Sequence, residues 1–312
     1  MATIGRSELD VFPLALGGNV FGWTADEAQS FAVLDAYVAA GGDFIDTADV
    51  YSAWAPGNSG GESETILGSW LARRGRRDDV VVATKVGSHP ELRGLRPETI
   101  RKGVEESLRR LGTDYIDVYY THRDDTSVPV EEIVSTLDAL VKEGKVRVLG
   151  ASNISPERLA ASLEFAEREG LARYELLQPE YNLMTRDAYE GPLADVVAEH
   201  GLSAAPYYGL ASGFLTGKYR PGGAPVDSAR AGRAAEYLAE PRGVKVLAAL
   251  DEVAAAHRAE VATVALAWLA AQPTVAAPIA SARTTEQLPA LTAVAGLELT
   301  EAEVAELTAA SE

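Results

Sequence analysis

The chain has 312 residues, 47% of them apolar and 24% charged, with a formal net charge of −18 and no cysteine. That apolar fraction sustains a large core and argues against disorder, and the length suits one large α/β barrel or two smaller domains. Without cysteine there are no disulfides, cysteine metal sites or thiol catalysis, and the redox compartment stays open. The negative charge argues against nucleic acid or an anionic membrane as partner, and it leaves any phosphate-bearing ligand dependent on local cations or helix N-termini.

The first residues, "MATIGRSELD", lack a basic start followed by an apolar run, so no signal peptide is expected there and cytoplasmic residence is the default. The stretch "TIGRSELDVFPLALGG" is expected to hold a small hairpin ahead of the first main strand. From there, short β-branched or apolar runs alternate with amphipathic stretches. The runs are "LALGG" (14–18), "DFIDT" (43–47), "VVVATK" (80–85), "IDVYYTH" (116–122), "KVRVLGAS" (145–152), "YELLQPE" (174–180), "GLSAAPY" (201–207) and "TVAAPIA" (274–280). Between them lie helical patterns with start and stop signals. "ADEAQSFAVLDAYVAAG" ends in Gly41, "GESETILGSWLARRG" closes on a basic turn and Gly75, and "RPETIRKGVEESLRRLG" starts with Pro97 and ends at Gly112. "VEEIVSTLDALVKEGK" and "SPERLAASLEFAEREG" follow the same grammar.

Eightfold alternation of strand and helix predicts parallel strands closed into a (β/α)8 TIM barrel spanning residues 1–312 as one domain. A doubly wound open sheet is the alternative, but no G-x-G-x-x-G follows the first strand. The segment "KYRPGGAPVDSARAGRAAEYLAEPRG" (218–243), rich in Gly, Pro and Arg, is read as a long mobile loop after strand 7 and a candidate lid. The apolar stretch "VATVALAWLAA" (261–271) is too short to span a bilayer and reads as a core helix.

A closed parallel barrel carries its active site at the carboxyl ends of its strands. There, strand 2 ends in Asp46 with Tyr51 just beyond, strand 3 in Lys85 and strand 4 in His122. A lysine ending an apolar strand needs a counter-charge, which Asp46 on the neighbouring strand supplies. The cation is expected to lower the Tyr51 pKa and make it a useful proton donor, with His122 hydrogen-bonding the same substrate oxygen. Singly, each residue has a plain structural role: a cap, a packed ring, a surface ion pair, a satisfied histidine. The four at consecutive strand ends point together to protonation of a carbonyl oxygen as hydride reaches its carbon. His89, His200 and His257 are read as structural, and one site histidine without a matched carboxylate pair leaves too few ligands for a metal. Phe21, Trp23 and Trp54 are candidates for an apolar substrate pocket, with ordinary loop packing as the other reading.

The segments "DFIDTADVYS", "GESETILG", "VVVATK", "YYTHRDD", "GKVRVLGASNIS", "LLQPEYNL" and "GLASGFLTGKY" together resemble the aldo-keto reductases over roughly residues 14–290, in the branch with bacterial oxidoreductases and potassium-channel β subunits. The resemblance implies a small-molecule carbonyl substrate and NADPH bound without a Rossmann domain, with NADH the lesser expectation. It implies Tyr51 as general acid, Lys85 and Asp46 tuning it, and His122 orienting the carbonyl. Ser152, Asn153 and Gln178 fall where relatives hold the nicotinamide carboxamide, and Tyr207 where an aromatic ring stacks on the nicotinamide. Leu210, Gly213 and Lys218 fall along the pyrophosphate, and Ser281, Arg283 and Gln287 near the 2′-phosphate. A helix opening at Thr284–Thr285 is expected to face the same anion. Two departures stand out: Tyr208–Gly209 replace a common Ser-Pro, and Ala290–Leu291 replace a common Glu-Asn, which removes adenine contacts. The competing function is a cofactor-binding regulatory subunit like the channel β subunits.

Overall fold

The computed structural model describes residues 1–224, 226 and 228–312. Its main sheet is formed by β1 (Ala15–Gly17), β2 (Phe44–Asp46), β3 (Val81–Val86), β4 (Ile116–Thr121), β5 (Val146–Ser152), β6 (Tyr174–Gln178), β7 (Ser203–Ala204) and β8 (Ile279–Ala280). Neighbours pair in parallel in the order β7-β6-β5-β4-β3-β2-β1-β8. The ring closes between β7 and the chain entering β8. The amide of Ala204 donates to Thr274 O at 2.8 Å, and that of Ile279 to Pro206 O at 2.8 Å. All eight expected strands are present, several shortened, and the fold is the (β/α)8 barrel.

Around the ring lie α1 (Glu27–Ala39), α2 (Glu62–Arg74), α3 (Pro97–Leu111), α4 (Val130–Lys142), α5 (Pro156–Glu169), α6 (Pro192–Glu199), α7 (Ala231–Ala239), α8 (Pro241–His257), α9 (Val261–Ala270), α10 (Leu288–Thr292) and α11 (Glu301–Ala310). Their ends obey local chemistry. Asp26 and Gln29 form a reciprocal capping box on α1, and the Ser155 hydroxyl accepts from the Arg158 amide at the start of α5. The glycine closing α2, α3 and α5 has a left-handed φ of 64° in each case.

Strand alternation splits the core into two shells. Val81, Ala83, Val118, Tyr120 and Val148 point into the barrel, whose lower end is plugged by Ile4, Leu9 and Val11 of the N-terminal segment. The expected hairpin is there, pairing Ala2–Thr3 with Asp10–Val11. The other face of the strands, with Val82, Val86, Tyr119 and Leu149, packs against the helices. The i, i+2 rule carries Lys85 into the inward series after Val81 and Ala83, and Asp46 and Gln178 into the inward series of β2 and β6.

Two expectations change. The segment 218–243 is not a plain loop: it contains α7 and the first turn of α8, because the Ala, Arg, Glu and Leu of "AGRAAEYLA" are strong helix formers that outweigh its Gly232, and its Tyr237 ring packs 5.5 Å from Phe214. Pro225 and Asp227 of that segment lie outside the described residues. A second hairpin, Ser88–His89 with Leu92–Arg93, follows β3 and has no counterpart in the sequence reading. Among the described residues no single helix is long and apolar enough to cross a membrane; α8 and α9 form a pair bent by 96°.

Behind the β2 loop lies a buried acidic cluster. Glu64 accepts from Thr84 Oγ1 at 2.6 Å and from Arg110 Nε at 2.6 Å. Asp49 beside it is 1% exposed, and neither carboxylate oxygen has a hydrogen-bond partner among the described residues. Burial, and then the negative charge of Glu64, push the Asp49 carboxyl up to about 8. The folded chain thus keeps a proton that the unfolded chain releases near pH 3.9, so Asp49 costs stability as pH rises from about 4 to about 8. Urea unfolding of the wild type and Asp49→Asn at pH 5 and pH 8 should show the variant gaining at least about 1 kcal/mol over the wild type at the higher pH; a constant difference would rule out a buried neutral Asp49.

Candidate active site

β2 and β3 pair with Asp46 opposite Ala83, so Lys85 stands one inward position above Asp46 and reaches back to it. Its ammonium, 0% exposed, donates to both Asp46 oxygens at 2.8 and 2.7 Å and to Thr47 O at 2.8 Å. It also lies 2.9 Å from the Tyr51 hydroxyl, which donates to Asp46 Oδ2 at 3.1 Å. From across the barrel, Gln178 Nε2 donates to Asp46 Oδ1 at 2.8 Å. Burial pulls the Lys85 ammonium below its ordinary value, and the Asp46 carboxylate opposes that shift.

Tyr51 is held by its loop. Its amide donates to Ala48 O, and Ser52, with a left-handed φ of 72°, sends its hydroxyl to Phe21 O at 2.7 Å. Asn58 ties the loop further, donating to Gly22 O and Ser52 O. The phenol is not made acidic in this setting. Burial, followed by the adjacent Asp46 carboxylate, raises its pKa well above 10.0, reversing the expected effect of Lys85. The cation touches the phenol oxygen, but it is already neutralised by the same carboxylate that opposes phenolate.

The His122 ring meets the Tyr51 ring edge-on, 6.1 Å between centroids. Burial, with Lys85 and Arg123 nearby, lowers the imidazole to about 3, so it is neutral at ordinary pH. Its Nδ1 is buried without a partner among the described residues, while its carbonyl accepts from Asn153 Nδ2 at 2.9 Å. The other histidines are placed structurally: His257 bonds Glu303 at 2.7 Å, the His200 carbonyl accepts from Arg173, and His89 is buried behind Gly60.

Above this cluster opens a cavity of about 960 Å³, lined by Asp46, Tyr51 and His122, with Lys85 sealed beneath. Such a volume is at the upper end for ligand sites, roughly 300–1,000 Å³, and exceeds what a simple carbonyl compound fills. Ser152, Asn153, Gln178 and Tyr207 line it close to the cluster; Tyr207 donates to Asn153 Oδ1 at 3.0 Å and Ser152 to Gln178 O at 2.8 Å. Leu210, Gly213 and Lys218 line the next stretch, where the Lys218 ammonium lies over Gly213, 3.6 Å from where a Cβ would stand. Ser281, Arg283 and Gln287 line the far end, with Ser281 bonded to Asn19 and Gln287 accepting from the Arg283 amide. At Gly17 a Cβ would come 2.6 Å from Ser281 Oγ, so a larger residue there would displace the Ser281 side chain.

These features fit a dinucleotide cofactor: amide and hydroxyl donors near the reacting cluster, and two cations farther along for phosphates. The expected helix after Thr284 is instead a 3-10 turn, Thr285–Gln287, leading into the five-residue α10. A helix of five residues carries only a slight dipole. Ala290 and Leu291 also line the cavity.

Trp23 and Trp54 both border the cavity, edge-to-face at 5.7 Å, and Trp54 meets Tyr51 at 6.0 Å. Phe21 does not: it is 0% exposed and belongs to the core beneath the Tyr51 loop. Sequence reasoning missed Arg123, Tyr208 and Arg230 at the cavity wall. Arg123 had a signal, adjoining His122 at a strand end; Arg230 had none, since the fold of its segment decides where it points.

Sequence comparison agrees with this geometry. A model of the aldo/keto reductase family matches residues 13–312. Protein Tas of Escherichia coli strain K12 is 34% identical over 98% of this chain and 96% of its own length. A probable voltage-gated potassium channel subunit beta of Oryza sativa subsp. japonica is 35% identical over 91% and 88%, and aldo-keto reductase str7 of Strobilurus tenacellus is 33% identical over 98% and 87%. With the barrel and the polar cluster at its rim in hand, these matches make the chain a member of the aldo/keto reductase family.

Proposed function

We propose that this protein reduces an aldehyde or ketone to an alcohol at the expense of NADPH, with Tyr51 as the proton donor. Membership of a family that generally uses NADP(H) makes it an NAD(P)H-dependent oxidoreductase. The observation that carries the finer reading is the Lys85 ammonium in contact with both the Asp46 carboxylate and the Tyr51 hydroxyl on the cavity floor.

A bound nicotinamide would supply the hydride for the carbonyl carbon, leaving the oxygen to be protonated. Tyr51 donates its proton to that oxygen. An alkoxide is a far stronger base than a phenolate, so even a tightly held phenolic proton transfers. The phenolate left behind is met by the Lys85 ammonium at 2.9 Å and regains its proton from solvent. His122, neutral, orients the carbonyl oxygen by a hydrogen bond. Ser152, Asn153 and Gln178 would hold the carboxamide, Tyr207 would support the nicotinamide ring, Leu210, Gly213 and Lys218 would hold the pyrophosphate, and Ser281, Arg283 and Gln287 the 2′-phosphate. Trp23 and Trp54 wall the substrate side. A regulatory subunit is the second reading, favoured by the similarity to a probable channel subunit; it predicts cofactor binding without turnover of any carbonyl.

A panel of aldehydes and ketones, followed by loss of NADPH absorbance with NADH as control, tests the reading directly. Tyr51→Phe should cost roughly 10²–10⁴-fold in kcat while NADPH binding persists; near wild-type reduction by the variant would refute the acid assignment. Arg283→Gln should weaken NADPH about tenfold more than NADH in fluorescence titrations, and equal weakening would place the 2′-phosphate elsewhere. The pH profile of kcat/KM should lack a histidine ionisation between pH 5 and 8, because His122 protonates only near 3; a step near 6.5 lost in His122→Asn would contradict its neutral state.

A further inference from the structure

One buried ionisable group takes no part in hydride or proton transfer, yet it belongs to the loop that carries the proton donor. Asp49 follows Asp46 and precedes Tyr51 in "DTADVY". The backbone around it is pinned to β3: the Thr47 amide donates to Ala83 O at 2.8 Å and the Asp49 amide to Lys85 O at 3.3 Å. Its buried carboxyl faces the helix layer.

Each element packed there presents a charged or ionisable group to it: Glu64 from α2, Arg110 from α3, Lys85 from β3 and Tyr119 from β4. The hairpin after β3 adds His89; a Cβ at Gly60 would stand 2.7 Å from its Nε2 and 3.1 Å from Asp49 O. Arg110 is already engaged, with Nε 2.6 Å from Glu64 and a second nitrogen 3.8 Å from Glu106. Lys85 is held on the inner side by Asp46. Two facing carboxyls beside one engaged guanidinium, out of contact with water, favour a single negative charge. Glu64 keeps it, because Thr84 and Arg110 both donate to that carboxylate. Asp49 is the partner left neutral.

Resting on the reductase reading, we infer that Asp49 is a positioning residue for Tyr51: protonated, it lets the loop lie against α2 and α3, and ionised, it is repelled by Glu64, displaces the loop and slows proton donation in alkaline solution. Its charge, within reach of Lys85, acts in the same direction, since it opposes the negative charge growing on the substrate oxygen and on Tyr51. Three neighbours do not supply such a step. Burial holds the Tyr51 and Tyr119 phenols well above their usual value and pulls the His89 imidazole below its own. Lys85, also pulled below its ordinary value, is the rival source.

The test follows kcat/KM for a reducible aldehyde or ketone, by NADPH consumption at saturating cofactor, from about pH 7 to about pH 9.5. In the wild type it should fall about tenfold with a midpoint near 8. In Asp49→Asn, neutral at every pH, it should change less than about twofold. Glu64→Gln, which removes the repelling charge, should move the midpoint down by about one pH unit. A wild-type profile without a fall overturns the inference; so does a fall kept intact in Asp49→Asn, which would give the step to Lys85. Trp54, in the same loop beyond Tyr51, reports loop position without turnover. Its fluorescence, taken as the difference between wild type and Trp54→Phe, should shift over the same pH range, and the shift should vanish in Asp49→Asn. Should no carbonyl compound be reduced, that shift would uphold the coupling of Asp49 to the loop and reject the reductase. A Trp54 signal that stays flat, or moves equally in Asp49→Asn, overturns the coupling and leaves the reductase reading to the carbonyl panel.

Discussion

The Lys85–Asp46 contact, sealed at the upper end of the barrel, governs the structure around it. Neither charge is tolerable there alone: removing one partner of a buried pair costs about 3–5 kcal/mol. Each is satisfied only jointly. The ammonium needs Asp46, Thr47 O and the Tyr51 oxygen, and the carboxylate needs Lys85, Gln178 and the Tyr51 hydroxyl. Those groups come from β2, β3, β6 and the loop after β2. Their mutual satisfaction therefore couples the register of the barrel to the placement of one phenol.

That coupling also sets the electrostatics of the cavity. Because Asp46 cancels Lys85, the floor is close to neutral and the Tyr51 proton is tightly held. Burial and the nearby cations keep His122 uncharged. Positive charge stands at the walls instead, from Arg123, Lys218, Arg230 and Arg283. An acidic protein can thus present a cationic interior to anionic ligands, since local donors at a few ångströms outweigh screened charges farther away.

Backbone strain is concentrated in the same place. Asn153, Tyr208, Ala211 and Ser212 take left-handed φ values of 49°, 56°, 46° and 59° without being glycine. Such positions cost on the order of 1–3 kcal/mol each and persist where surrounding contacts over-determine them. All but Ala211 line the cavity, at or just beyond the ends of β5 and β7, where the chain must turn while leaving room above the floor. The tight approach of Gly17 to Ser281 serves the same end on the opposite wall.

Much of this was legible from residue order alone. Alternating strand and helix patterns led to a barrel, and the ends of its strands put Asp46 and Lys85 at the rim, because a closed parallel barrel gathers its strand ends at one face; Gln178 came with the family resemblance. The consecutive strand ends were enough to bring Tyr51 and His122 to the same opening. What local pattern could not supply was decided by packing between distant segments. Phe21 and Trp23 are two residues apart, yet one is sealed in the core and the other faces the cavity, a choice made by the Tyr51 loop closing over Phe21. The direction of the Tyr51 pKa shift depended on burial and on Asp46 sharing the phenol with Lys85, which no single segment encodes. Arg230 is the clearest case: its sequence neighbourhood reads as loop, and only the docking of the segment after β7 against Trp23 and Tyr208 turns it into a wall of the site.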